Sequence, residues 1–67
     1  MKISARNQLT ATVKSIRLGD VMAEVVVDVS GQEIVSVITR SSAETLGLKV
    51  GDEVLAIIKS TEVMLGK

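Results

Sequence analysis

Apolar residues recur at every second position over most of the chain, and the alternation breaks at only a few places. Leu9, Ala11 and Val13 alternate with Thr10, Thr12 and Lys14, after which Ile16 and Leu18 become the apolar positions. This slip of parity within Asn7 to Arg17 predicts a β-bulge near Ser15. Gly19-Asp20 reads as a turn. From Val21 to Val29 a second strand places Val21, Ala23, Val25, Val27 and Val29 on one face. Ser30-Gly31-Gln32 then reads as a tight hairpin connection to a third strand, Glu33 to Thr39. Ser41 to Leu46 reads as a short helix, with Gly47 placed for a left-handed cap. Lys49-Val50-Gly51-Asp52 is a turn, Glu53 to Lys59 a fourth strand, and Thr61 to Leu65 a short fifth piece. The order predicts an all-β fold: an OB-like Greek-key barrel of about five strands with one short helix, in a single domain over residues 1–67.

Two strands are apolar on both faces. Val54, Ala56 and Ile58 oppose Leu55 and Ile57; Ile34 and Ile38 oppose Val35 and Val37. A sheet with one wet face carries a polar set there, so the second face needs a cover, and no other segment is long enough. The chain has only 67 residues, 46% of them hydrophobic, with no Cys and no His. Domains this small hide roughly 60% of their unfolded surface and depend on disulfides, a metal or oligomerisation. Without Cys or His the first two are unavailable in their usual forms, which points to self-association.

Charge narrows the function classes. Eight Lys plus Arg balance eight Asp plus Glu, and there is no Phe, Trp or Tyr. A nucleic-acid partner would want a basic footprint and stacking platforms, so none is expected. No run of about 18 apolar residues exists to cross a membrane, and no apolar stretch follows MKISARNQ to form a secretory leader. The expected location is cytoplasmic. With no His or Cys, scattered carboxylates and no phosphate-binding fingerprint, an enzyme is not expected.

Three polar segments sit where strands begin or end. Ser4-Ala5-Arg6-Asn7-Gln8 combines a hydroxyl, a guanidinium fork suited to oxyanions and two amides; its plainer reading is an exposed arm. Thr39-Arg40-Ser41-Ser42-Ala43-Glu44 spans the strand-to-helix junction, where unpaired N–H groups favour anions. It also matches an S-x-x-E capping box starting at Ser41, which needs no ligand. Lys59-Ser60-Thr61 supplies a point charge and hydroxyls, or simply a solvated strand end. Together they suit a small doubly charged anion better than a cation, which would want carboxylates. A protein-docking accessory domain without anion binding is the alternative.

The run Ile3-Ser4-Ala5-Arg6-Asn7-Gln8-Leu9 resembles the opening motif of the molbindins, the stand-alone form of the Mop domain. Val37-Ile38-Thr39, Ser42, Leu46-Gly47-Leu48, Gly51 and Lys59-Ser60-Thr61-Glu62-Val63-Met64 follow in the family's order, so the resemblance spans essentially the whole chain. It implies an OB-like fold, a homohexamer built as a trimer of dimers, and molybdate or tungstate held between subunits for storage, buffering or homeostasis. Carried over position by position, Ser4, Arg6, Lys59 and Ser60 bind from one subunit. Thr39, Ser42 and the backbone N–H of Ala43 bind from its neighbour.

Overall fold

The computed structural model describes all residues, 1–67. Its frame is a meander of three strands, β1 (Asn7–Leu18), β2 (Met22–Val29) and β3 (Gln32–Thr39), followed by α1 (Arg40–Leu46) and β4 (Glu53–Ile58). The four strands form one antiparallel sheet in the order β3-β2-β1-β4. β4 returns past the meander to pair with the outer edge of β1, which is the Greek-key element of the OB-like arrangement.

The expected parity slip is a bulge. Val13 pairs with Val27 and Ser15 with Val26, leaving Lys14 without a partner on β2. Its ammonium hydrogen-bonds the Glu33 carboxylate on β3. That contact raises the Lys14 pKa above its ordinary 10.5, through the hydrogen bond first and the charge attraction second. Val13 is also held from the β4 side. Gly51 N donates to Val13 O at 2.8 Å and Val13 N donates to Asp52 O at 2.9 Å. The hairpin turns on Ser30 and Gly31, both at positive φ (49° and 87°). Two left-handed central residues match the twist of the flanking strands. Gly47 caps α1 at φ 61°, and the bonds Gly47 N to Glu44 O and Leu48 N to Ala43 O complete a Schellman closure.

Three expectations are corrected. Val21 is not part of the second strand; it lies in the connection from β1 and is 71% exposed. Ser41 does not cap the helix. Thr39, still extended at φ −70° and ψ 149°, is the N-cap, and its Oγ1 accepts the Ser42 N–H at 3.1 Å. The last β3 residue therefore does the capping, and Glu44 lies beside Arg40, 3.7 Å away, instead of closing a box. Thr61 to Leu65 forms no fifth strand: Ser60–Glu62 is a 3-10 turn, and no backbone bond ties residues 64–67 to the sheet.

The core is small. Only Ala11, Val13, Ala23, Val25, Val27 and Ala43 are buried, six of 67 residues, so a single chain leaves most of its apolar side chains in contact with water. Val35 and Val37 on β3, and Leu55 and Ile57 on β4, are 38–62% exposed. β3 and β4 are the two sheet edges and do not pair with each other. Between them lies an open trough of about 360 Å³, lined by Val25, Ile34, Ile38, Val54 and Ile58 among others, with Ser36 its one polar residue.

Candidate functional site

Strand direction decides which polar segments meet. Asn7 pairs with Ile58 as the last rung of the β1–β4 ladder. Arg6 and Lys59 are the next residues on each strand, so the Ser4–Gln8 and Lys59–Thr61 segments share one end of the sheet although they are distant in sequence. Both cations are exposed, and neither forms an ion pair, whereas Lys14, Arg17 and Arg40 each do. The Gln8 side chain donates to Ala5 O at 2.7 Å and fixes the bend that carries Arg6. Lys59 precedes the 3-10 turn with no side-chain cap bond, and Ser60 opens that turn. Glu62 closes the same turn but makes no ion pair with Lys59. It is a carboxylate only three residues from Lys59 in sequence.

The third segment lies elsewhere. Thr39 pairs with Met22, beside the far end of β1. At ~3.3 Å per strand residue, this places it on the order of 40 Å of strand path from Arg6, a path longer than the 34 Å longest extent of the chain because β1 bends. Here the hydroxyls are gathered: Thr39 Oγ1 donates to Ser42 Oγ at 2.7 Å and lies 3.3 Å from Ser41 Oγ. Ala43 is 5% exposed, and its methyl side chain carries no polar atom, so any polar contact would have to come from its backbone. Arg40 is occupied locally, its backbone N–H donating to Val21 O at 2.7 Å and its guanidinium to Gly19 O at 3.3 Å. α1 has seven residues, too short for its macrodipole to add much beyond the first-turn N–H groups.

Ser4, Arg6, Lys59 and Ser60 are thus brought together, while Thr39, Ser42 and Ala43 form a second, separate group. The β3–β4 trough contains none of these residues, and an apolar notch beside α1 contains only Ala43. No cluster of His, Cys, Asp or Glu is present that could hold a metal cation, and no helix is long and apolar enough to cross a membrane.

Fold and edge chemistry together define a small antiparallel β domain with two separate polar groups, one of exposed cations and one of hydroxyls. Residues 3–65 match the model of the TOBE domain. The chain is 48% identical over 66 residues to molybdenum-pterin-binding protein 3 of Clostridium pasteurianum, covering 97% of each. Among solved structures it superposes on a molybdate binding protein from Sporomusa ovata with a TM-score of 0.95 and 51% identity, covering 100% of both chains. It also superposes on the molybdate-bound form of the cytoplasmic molybdate-binding protein ModG with a TM-score of 0.83 and 37% identity, covering 97% of this chain and 53% of that one. The chain belongs to the TOBE domain family, in its small molbindin (Mop) branch.

Proposed function

We propose that this chain binds molybdate, or its congener tungstate, reversibly at contacts between identical subunits, as a cytoplasmic store or buffer. It is a binding protein and not an enzyme. Residues 1–67 act as one domain, assembled as a homohexamer, a trimer of dimers. Ser4, Arg6, Lys59 and Ser60 contribute from one subunit; Thr39, Ser42 and the backbone N–H of Ala43 contribute from its neighbour.

The observation that carries this reading is the division of the polar residues between opposite ends of the sheet. Two cations without ion pairs meet at one end, and a knot of hydroxyls sits at the other. One chain cannot close both around a small anion, but two chains can. The relatives named for binding molybdate support the choice of anion. In this mechanism the dianion sheds part of its water, Arg6 and Lys59 offset its charge, and hydroxyls and amides replace the lost hydrogen bonds. Sulfate has the same shape and charge, so cavity size and donor count set the selection.

Native mass spectrometry with added molybdate tests both parts of the proposal. The expected result is a hexamer carrying bound anion, with sulfate at equal ionic strength displaced by molybdate. Anion bound to a monomer, or a hexamer that takes none, overturns it.

A further inference from the structure

We propose that Arg40 is a positioning residue for the second polar group: its side chain locks the first turn of α1 onto the β1–β2 connection and so aims the donors of Thr39, Ser42 and Ala43. The proposal rests on the anion reading above and adds to it a residue that touches no ligand. Arg40 is the one cation in the Thr39–Glu44 segment, yet its guanidinium makes no bond to the hydroxyls. It donates to Gly19 O at 3.3 Å and lies 3.7 Å from the Glu44 carboxylate. At about 100° of rotation per helical residue, Arg40 and Ser42 project to nearly opposite sides of α1.

Little of α1 is buried. Of its seven residues only Ala43 is, and the exposed Arg40–Glu44 pair contributes little by itself. The anchorage lies in the connection Gly19-Asp20-Val21. The Arg40 backbone N–H donates to Val21 O at 2.7 Å, and the guanidinium reaches Gly19 O two residues further back. Gly19 N–H in turn donates to Met22 O at 2.7 Å, and Met22 is the residue paired with Thr39 at the end of β3. A single attachment at Val21 would leave the first turn free to pivot. The second attachment, on the other side of Asp20, removes that rotation. The bonds of Ser42 N–H and Ser42 Oγ to Thr39 Oγ1 then keep a fixed direction relative to the sheet. Donors held in place before a ligand arrives favour the anion that fits them over another of the same charge.

The test compares molybdate with sulfate on the full, assembled chain, by equilibrium dialysis, with sedimentation confirming assembly. Arg40→Met removes the charge and the donors. Gly19→Ala keeps the charge but sets a methyl 3.0 Å from Met22 O. Gly19 does not lie at positive φ, so crowding of the turn is the only perturbation. In both variants molybdate affinity should fall about three- to tenfold, the worth of one hydrogen bond, and the molybdate-to-sulfate ratio should fall with it. Arg40→Lys should recover part of the loss by restoring a donor to Gly19 O. Equal weakening of both anions in Arg40→Met, with no effect of Gly19→Ala, overturns the proposal, because Arg40 then acts through its charge on the anion itself. Unchanged affinity in both variants overturns it as well. Amide exchange by NMR on the anion-free chain is the second measurement. The Ser42 amide should exchange about threefold faster, or more, in Arg40→Met, and an unchanged rate overturns the proposal. A wild-type chain that takes up no molybdate fails the anion reading, and the exchange result then decides the clamp on its own.

Discussion

The two ends of the sheet treat their polar residues differently. At the Arg6 and Lys59 end, both cations are exposed, carry no salt bridge and sit beside the last rung of β1–β4. At the Thr39 end, polar groups are already spoken for: Thr39 accepts from Ser42 N, the hydroxyls bond one another, and Arg40 has Glu44 and Gly19 O. The first end holds charge without a structural task. The second does structural work in its own chain and can serve a ligand only by sharing or rearranging its hydroxyls. If the two groups serve one anion as proposed, electrostatic attraction belongs to the first end, and shape and hydrogen-bond selection to the second.

The largest expected effect breaks the first end. Charge-assisted hydrogen bonds contribute on the order of 1.5–3 kcal/mol each, so Arg6→Ala should weaken molybdate binding roughly 10- to 100-fold by calorimetry. Arg17→Ala, whose guanidinium pairs with Glu24 at 3.9 Å, should leave affinity unchanged. Equal losses in the two variants would erase the contrast between free and occupied cations.

Next is the helix that carries the second end. Gly47→Val forces a β-branched residue into the left-handed region and should cost about 1–2 kcal/mol, read as a lower midpoint in urea. Thr39→Ala removes the cap and should cost about 1 kcal/mol, with Thr39→Ser restoring most of it. Thr39→Ala should also reduce anion affinity, because Ser42 loses the hydroxyl that orients it. A stability loss with no change in affinity would make the second end purely structural.

The smallest effect lies between the ends, at the bulge. Lys14 has its pKa raised by Glu33, so the pair adds stability at neutral pH, where the lysine is charged. That contribution disappears as pH rises through the folded value, above about 10.5. Both groups are exposed, so Glu33→Gln should shift the melting temperature little at pH 7 and the difference should vanish in strong alkali. A difference that grew with pH would show that the Glu33 carboxylate acts through another group.

Local features were legible in the sequence because their causes are local. The Lys14 bulge, the Ser30-Gly31 turn and the Gly47 cap each follow from parity or from the need for positive φ. The helix cap was misplaced by two residues because Ser41 and Thr39 both carry hydroxyls, and the choice depends on where β3 stops pairing with Met22. Thr61 to Leu65 has strand-like composition, but a strand needs a partner edge, which composition does not supply. The meeting of Arg6 with Lys59 was invisible to spacing, since only the β1–β4 register creates it. The expectation of a site shared between two subunits comes from the family resemblance, whereas the separation of the two polar groups within one chain is a matter of topology.

The clasp of Gly51 and Asp52 on Val13 also has a consequence in time. β1, β2 and β3 pair through short connections, whereas β4 must close a loop from Asn7 to Ile58. Closing long loops carries an entropic cost, and non-local pairings form late. The clasp engages β1 at its midpoint, so it can seat before the far rung at Asn7 and Ile58 zips shut. Arg6 and Lys59 are then among the last residues brought together as the chain folds, and among the first parted when β4 frays.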